Sequence, residues 1–242
     1  MKISIALTCR DELGNLPEVL ERLKWLESAL KDDLWEVVIV DGGSTDGSRE
    51  FLVEAAAAWP KLRVIDQQPP HGYGSGYRQS ILACAGDVIV TCDTDLNYDV
   101  RDCTRMLPLL STYDLVVANP LLEGGVAELG YVRLLPTTVV AWLYRMALVG
   151  RGIGVTVFTP ILRVGWARVF KGALPKADDF RTSAEVMMRI LLTQGARVCE
   201  VPVIVHKRGA GRSKMRFSRT VLAHLALLGS VVAFRLFRRE AL

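Results

Sequence analysis

Cysteine is scarce in this sequence and is not arranged as a metal or disulfide motif. The chain has five cysteines among 242 residues, an odd number, with no Cys-x-x-Cys spacing, and most lie within apolar runs. We interpret them as small, buried thiols in a reducing cytosol, rather than as disulfides or a metal site. The charged lead and long apolar segment of a signal peptide are also lacking, because strand-like residues follow directly after Lys2. We therefore expect the catalytic part to be cytoplasmic.

Other absences bound the organisation of the chain. It contains no internal repeat, no low-complexity segment and no linker rich in Pro, Gly or Ser, so nothing divides it into separate folding units. A charged content of 23% argues against disorder, and a hydrophobic content of 50% suffices for the core of one large domain. The net charge of +4 is modest, and nucleic acid is not an expected partner. Acidic residues are missing from residues 206–239, which hold nine Lys or Arg and make the C-terminal end basic.

What is present is an alternation of strand and helix patterns. The predicted strands cover residues 3–7, 37–40, 63–66, 88–92 and 115–117, and the predicted helices cover residues 15–29, 46–58, 76–85 and 102–110. Repeated strand-helix units predict an α/β fold whose sheet is mostly parallel, with helices on both faces. Ligands bind such open sheets at the carboxyl ends of the strands, so polar residues that follow strands are the candidates for function.

The most informative of these places follows the fourth predicted strand, where Asp93 and Asp95 are one residue apart. Residues i and i+2 of an extended chain point to the same side, so both carboxylates can reach one divalent cation, with the amide oxygen of Asn97 close by. Mg²⁺ or Mn²⁺ that carries a diphosphate would suit this set of ligands. The alternative is an aspartate pair that only shapes a turn and caps it.

Two further polar segments follow strands or precede helices. Residues 41–47 (DGGSTDG) bring backbone N–H groups, a hydroxyl and carboxylates to a helix start, and they lack the terminal Lys-Ser/Thr of a P-loop and the third glycine of a dinucleotide turn. Their carboxylates suit a base or ribose better than a phosphate, although a well-capped turn explains them equally. Residues 72–76 (GYGSG) precede a predicted helix that carries Arg78. Their glycines would let a ligand approach the backbone closely, although a plain connecting loop is an equal interpretation.

In combination, these segments resemble the family-2 glycosyltransferases of the GT-A fold, and in particular the dolichol- and polyprenyl-phosphate sugar synthases. The resemblance covers about residues 3–214. It rests on TCRDELGNL at 8–16, VDGGSTDGS at 40–48, GYGSGYRQSILACAGD at 72–87, CDTDLN at 92–97, FRTSAE at 180–185, RVCEVPV at 197–203 and RGAGRSK at 208–214.

The sequence also departs from the family pattern. Gly42 stands where a second Asp is frequent, and Thr8 stands where a Pro is usual. Residues 156–163 (TVFTPILR) replace an Asp followed by a Ser-Gly-Phe-Arg-like sequence, and of these only Arg163 is plainly retained. Because this stretch helps to form the acceptor side in relatives, the identity of the acceptor is not carried over.

The resemblance implies roles for individual residues, with every position taken from the matching motifs. The implied catalytic residues are Asp95 and Glu185, and the implied metal ligands are Asp93, Asp95 and Asn97. The donor nucleotide would contact Thr8, Arg10, Glu12, Asp41, Gly72, Gly74, Arg78, Asp93 and Thr94. The acceptor phosphate would contact Arg163, Arg208, Arg212, Ser213 and Lys214. For Glu185, a helix-surface ion pair with Arg189 one turn later is an equal alternative.

The implied reaction is the metal-dependent transfer of a hexose from GDP-hexose or UDP-hexose to a polyprenyl phosphate, with inversion by a single displacement. An acceptor phosphate is already an anion near neutral pH and needs no general base. Three alternatives remain open, which are a glycosyltransferase with another lipid or soluble acceptor, a nucleotidyltransferase, and a non-catalytic protein that binds nucleotide sugars.

The C-terminal segment carries an expectation of its own. Residues 220–234 are fifteen uncharged residues, and as a helix they would extend about 22 Å against a hydrocarbon core of about 30 Å. We therefore expect a monotopic anchor at the cytoplasmic face of a membrane more than a full span; a buried helix or a homodimer interface is the alternative. This divides the chain into a catalytic domain (1–214) and a membrane-associating segment (215–242). Residues 139–149 would lie beside that anchor or form an ordinary core helix.

Overall fold

The protein is described by a computed structural model, which covers residues 1–128, 131–148, 154–210 and 217–237. These residues form nine strands: Ile3–Cys9 (β1), Leu34–Asp41 (β2), Leu62–Asp66 (β3), Val88–Asp93 (β4), Leu115–Asn119 (β5), Val126–Ala127 (β6), Arg163–Trp166 (β7), Val198–Pro202 (β8) and Ile204–Val205 (β9). They also form α-helices at Leu16–Leu30 (α1), Ser48–Ala58 (α2), Tyr73–Ala83 (α3), Cys103–Met106 (α4), Tyr131–Ala147 (α5), Ala167–Lys171 (α6), Thr182–Arg189 (α7) and Phe217–Phe237 (α8).

Seven of the strands form one sheet in the order β3-β2-β1-β4-β7-β5-β8, and β6 pairs with β9 in a second, two-stranded sheet. In the large sheet only β7 runs antiparallel to its neighbours β4 and β5. Helices cover both faces, because α1 and α2 pack on one hydrophobic cluster and α3, α5 and α7 pack on another. The predicted α/β fold with a mostly parallel, mixed sheet is therefore confirmed.

The helices follow from the local sequence in most places. Helix α1 buries Leu16, Val19, Leu20, Leu23 and Leu26, whose spacing places them on one stripe of the helix. Helix α3 begins earlier than residue 76, since the helix already includes Tyr73. The single helix predicted for residues 102–110 is wrong, because the short helix α4 lies between 3₁₀ turns at Val100–Asp102 and Leu107–Ser111. Pro108 explains the second break, since proline lacks the N–H that an α-helix needs there.

Helices α5 and α8 pack against each other, and α8 also contacts α7. The hydroxyl of Tyr144 on α5 hydrogen-bonds to Nδ1 of His224 on α8 at 2.9 Å. Leu227 and Val231 of α8 are buried in the cluster that includes Tyr144, whereas Leu222 is 66% exposed. One side of α8 is thus part of the domain core. Within the described ranges, no helix combines the length and the apolar character needed to cross a membrane. The division of the chain after residue 214 stays a prediction, since residues 211–216 lie outside the described ranges.

Candidate functional site

The sheet brings the ends of three strands to one edge. In the strand register Thr8 lies opposite Asp93, and Cys9 lies opposite Asp41. The loops that follow β1, β2 and β4 therefore begin side by side at the carboxyl edge of the sheet, where open α/β sheets bind ligands. The polar segments that follow these strands therefore meet at one edge of the sheet.

Side chains of the 41–48 turn hold the first loop in place. The hydroxyls of Ser44 and Ser48 accept hydrogen bonds from the backbone N–H groups of Asp11 and Glu12, both at 2.8 Å. The carboxylate of Asp41 is buried and accepts from the N–H groups of Gly43 and Ser44, both at 3.0 Å. Asp41 thus stabilises the turn itself, as the alternative interpretation of residues 41–47 requires, although Gly47 at the N-cap of α2 makes no side-chain capping hydrogen bond. The contact of Asp41 with a nucleotide stays a prediction.

The Asp93 carboxylate is held at the centre of this edge. Its Oδ1 accepts from the hydroxyls of Tyr73 at 3.2 Å and Thr8 at 3.4 Å. The hydroxyl of Thr94 donates to the carbonyl oxygen of Thr8 at 3.0 Å, which ties the two strand ends together. Burial, with the negative charge of Asp95 beside it, raises the pKa of Asp93 to about 7. Two carboxylates that resist ionising together would both be stabilised by a bound cation.

The residues present fit a divalent metal ion. Asn97 donates from Nδ2 to Oδ2 of Asp95 at 3.0 Å, and its buried Oδ1 finds no hydrogen-bond donor among the described residues. Two carboxylates and a free amide oxygen are the hard oxygen ligands that Mg²⁺ and Mn²⁺ prefer. No cluster of three or more His, Cys, Asp or Glu side chains that could hold a metal occurs in the described part of the chain. Phosphate oxygens and water would therefore complete the coordination.

Arg208 lies across the same edge, on the segment that follows β9. Its Nη2 donates to Oε1 of Glu12, and its Nη1 lies 3.6 Å from Oδ2 of Asp95. The other carboxylate oxygen of Glu12 accepts from Nδ2 of Asn15 at 2.6 Å. Glu12 was predicted to contact the donor and Arg208 the acceptor. The structure pairs these two side chains with each other, and it places Arg208 beside Asp95, a predicted metal ligand.

The glycine loop at the start of α3 packs closely on another part of the chain. A side chain at Gly74 would overlap the carbonyl oxygen of Ala177, and one at Gly72, where φ is +138°, would overlap that of Asp178. Arg78 pairs with Asp178 and donates to the carbonyl oxygen of Ala177 at 3.0 Å. These contacts explain the glycines and Arg78 by packing, and their predicted contacts with the donor stay a prediction.

Glu185 anchors the same segment, residues 176–178, through backbone hydrogen bonds. Its two carboxylate oxygens accept from the backbone N–H groups of Lys176 at 2.7 Å and Ala177 at 3.0 Å, and Glu185 is only 5% exposed. Its Oε1 also lies 3.5 Å from Nε of Arg189, which is the ion pair of the alternative interpretation. The rings of Tyr73 and Phe180 stack with their centroids 5.3 Å apart. The predicted catalytic role of Glu185 remains untested by this geometry.

The predicted acceptor residues differ in burial and in whether the structure describes them. Arg163 is fully buried in β7, and its Nη2 donates to the carbonyl oxygens of Phe158 at 3.0 Å and Ser183 at 2.8 Å. Contact between Arg163 and a phosphate would require this arrangement to change. Arg10, predicted for the donor, has an exposed side chain beside the first loop. Arg212, Ser213 and Lys214 lie outside the described residues.

Two features of the site escaped the sequence interpretation. The Tyr73 hydroxyl on Asp93 could have been suspected only from an aromatic residue inside a glycine loop. Glu200 accepts from the N–H groups of Thr156 at 2.8 Å and Val157 at 2.9 Å, and from Nδ2 of Asn119 at 3.0 Å. Glu200 therefore fixes the segment that departs from the family pattern. The signal for it is the Glu-Val-Pro sequence within residues 197–203, to which the sequence alone assigns no role.

The sequence of the chain is similar to those of known proteins. A model of the family described as Glycosyl transferase family 2 matches residues 4–169. The chain is 23% identical to a dolichol-phosphate mannosyltransferase of Pyrococcus furiosus over 93% of this chain, and it spans 62% of that protein's length. It is 25% identical to an undecaprenyl-phosphate mannosyltransferase of Micrococcus luteus over 89% of this chain and 88% of the other.

A solved structure extends the comparison to the fold. Glucosyl-3-phosphoglycerate synthase of Mycobacterium tuberculosis, in complex with Mn²⁺, UDP and glucosyl-3-phosphoglycerate, superposes with a TM-score of 0.67. The superposition covers 97% of this chain and 79% of the other, at 20% sequence identity. The chain therefore has the GT-A fold that the sequence predicted.

Proposed function

The chain belongs to glycosyl transferase family 2, and from that premise we propose that it transfers a hexose from GDP-hexose or UDP-hexose to a polyprenyl phosphate, with Mg²⁺ or Mn²⁺. The observation that carries the proposal is the Asp93–Asp95 pair at the carboxyl edge of the sheet, with Thr8 directly opposite Asp93. The names of the mannosyltransferase relatives support the class of acceptor.

Asp93, Asp95 and Asn97 would hold the metal ion. When bound, the ion would neutralise the charge that develops on the diphosphate leaving group. The chain itself supplies preorganisation. Hydrogen bonds from Thr8 and Tyr73 fix one oxygen of Asp93, and Asn97 holds Asp95 through both its backbone N–H and its side chain. Each carboxylate is thus oriented before substrates arrive, which lowers the cost of reorganisation during the reaction.

The acceptor half of the reaction requires positioning more than proton transfer. A phosphate monoester is an anion near neutral pH, so its oxygen can attack the anomeric carbon without a general base. Guanidinium and ammonium groups of Arg208, Arg212 and Lys214, with the hydroxyl of Ser213, would orient it. A single displacement inverts the anomeric configuration and leaves no covalent intermediate on the protein.

The exposed face of α5 and α8 supports a lipid acceptor. Trp142 is 57% exposed on α5, and Leu222 and Leu225 are 66% and 50% exposed on α8, although both helices also contribute to the core. Exposed apolar residues on adjacent helices, close in sequence to the basic segment at 208–219, suit the interface of an anionic membrane. We therefore place the enzyme at the cytoplasmic face of a membrane.

A soluble phosphorylated acceptor is the second candidate. Its support is the departure of residues 156–163 from the pattern of polyprenyl-phosphate enzymes, together with the coverage of 97% of this chain by an enzyme named for glucosyl-3-phosphoglycerate. Glu200 holds the start of this segment by accepting from the backbone N–H groups of Thr156 and Val157.

The test is an acceptor and donor panel with purified protein. GDP-mannose and UDP-glucose are each offered with undecaprenyl phosphate in detergent or with 3-phosphoglycerate, in Mn²⁺ or in EDTA. We expect a lipid-linked hexose that forms with Mn²⁺ and not with EDTA. Transfer to 3-phosphoglycerate alone would select the second candidate, and transfer that persists in EDTA would exclude the metal-dependent mechanism.

A further inference from the structure

We propose that Arg208 competes with the divalent cation for Asp95, so that cation binding releases Arg208 to the acceptor side. In the structure Arg208 bridges two carboxylates that we assign to the donor half of the site, Glu12 through Nη2 and Asp95 through Nη1 at 3.6 Å. The inference rests on the proposed function for the identity of the acceptor. The competition itself requires only a cation bound at Asp93 and Asp95.

Charge explains the competition. Three carboxylates, those of Glu12, Asp93 and Asp95, meet at this edge, and the guanidinium of Arg208 supplies positive charge between two of them. A divalent cation on Asp93 and Asp95 would neutralise the same carboxylate and repel the guanidinium at short range. The side chains of Arg208 and Asp95 are each 17% exposed, so solvent screens this repulsion incompletely. The guanidinium and the cation therefore disfavour simultaneous contact with Asp95.

Backbone hydrogen bonds join the segment that carries Arg208 to the predicted metal loop. The N–H of Gly209 donates to the carbonyl oxygen of Asp95 at 3.3 Å, and the N–H of His206 donates to that of Asn97 at 2.8 Å. Arg208 also holds its own segment by donating from Nε to the carbonyl oxygen of Ala210 at 2.9 Å. Residues 206–210 thus lie directly on the predicted metal loop, and the chain continues from them to Arg212, Ser213 and Lys214.

The consequence is an order of binding. While Arg208 neutralises Glu12 and Asp95, its Nη1 faces Asp95 rather than a phosphate. Once the cation occupies Asp95, Arg208 would keep its contacts with Glu12 and Ala210, and its Nη1 could donate to an incoming phosphate. We expect the cation with its nucleotide to bind first and the acceptor phosphate second. Because coupling between two sites is reciprocal, the acceptor phosphate should also strengthen cation binding.

The first measurement is Mn²⁺ affinity of the full chain without nucleotide, by electron paramagnetic resonance of free Mn²⁺. Arg208→Gln should bind Mn²⁺ at least about fivefold more tightly than the wild type, at the lower end of usual coupling strengths. Arg168→Gln is the charge-matched control, since Arg168 pairs with Asp114 before the start of β5, at the opposite edge of the sheet. The control should leave the affinity unchanged within about twofold.

Arg208→Lys provides a second variant in case the glutamine variant folds poorly. A lysine keeps the charge but cannot bridge two carboxylates as a planar guanidinium does, so its Mn²⁺ affinity should lie between those of the wild type and the glutamine variant. Equal or weaker Mn²⁺ binding by a well-folded variant of either kind would overturn the proposal and make Arg208 a structural tether of Glu12.

The second measurement separates this proposal from the proposed function. Binding of a short-chain, water-soluble polyprenyl phosphate is titrated with and without Mn²⁺ and a nucleoside diphosphate. In the wild type these should tighten binding about fivefold or more, and in Arg208→Gln the effect should largely disappear. If the variant binds Mn²⁺ more tightly but neither protein binds the polyprenyl phosphate, Arg208 competes with the cation and the proposed polyprenyl-phosphate acceptor is wrong. Binding of the polyprenyl phosphate that does not respond to Mn²⁺ would reject the order.

Discussion

Glu185 offers the sharpest test of a role that the family resemblance suggests and the geometry explains differently. The resemblance places it near the acceptor as a catalytic residue. In the structure both its oxygens accept hydrogen bonds from backbone N–H groups, those of Lys176 and Ala177. The next residues along, including Asp178, contact Gly74 and Arg78. Glu185 therefore holds the segment on which the glycine loop rests.

The cost of removing this anchor can be worked from these contacts. Each hydrogen bond to a charged group contributes about 1.5 to 3 kcal/mol, so the loss of two in Glu185→Ala should lower the free energy of unfolding by about 3 to 6 kcal/mol. That is a large share of the 5 to 15 kcal/mol or so by which domains are usually stable. Glu185→Gln keeps one acceptor oxygen and loses the charge, so it should lose about half as much.

The assay combines urea denaturation with transfer rates corrected for the folded fraction. Glu54→Gln is the control, because Glu54 is exposed on α2 and its replacement should change stability by less than about 0.5 kcal/mol. We expect Glu185→Gln to retain its kcat within about tenfold once folding is accounted for. A stability equal to that of the wild type, with kcat reduced a hundredfold or more, would refute the structural reasoning and restore the catalytic role.

Three further outcomes are expected. Asp95→Asn should reduce sugar transfer by about a hundredfold or more with the fold intact, which circular dichroism and an activity assay would check together; near-normal turnover in EDTA would contradict it. Gly74→Ala should lower the melting temperature, because its methyl group would overlap the carbonyl oxygen of Ala177, whereas Gly229→Ala, with open space around it, should not. Burial lowers the pKa of His224 below its ordinary 6.5, so the unfolded chain takes up a proton there that the folded chain resists. Stability should therefore be lost as pH falls through about 6.5, more in the wild type than in His224→Gln, as urea denaturation at several pH values would measure.

The meeting of the strand ends at the carboxyl edge of the sheet could be predicted from the sequence because its signals are local. Apolar runs such as residues 88–92 form buried strands, and the residues that end them must emerge at the edge of a parallel sheet. The strand register then places Asp93 beside Thr8, although they are 85 residues apart. The partners of Glu185 and of Arg78 could not be predicted in this way. These partners lie in a loop at residues 175–178 that has no periodic pattern of its own.

The acceptor side depends on contacts that no local pattern contains. Arg208 and Glu12 are 196 residues apart and come from two motifs that the family resemblance assigns to different substrates. Taken alone, the first motif predicts that Glu12 contacts the donor, and the second predicts that Arg208 contacts the acceptor phosphate. In the structure each of them is the other's partner, since an unpaired charge at a half-buried edge would be costly. On our proposal, a cation at Asp95 would displace Arg208. One side chain would then link the predicted metal site to the predicted acceptor site.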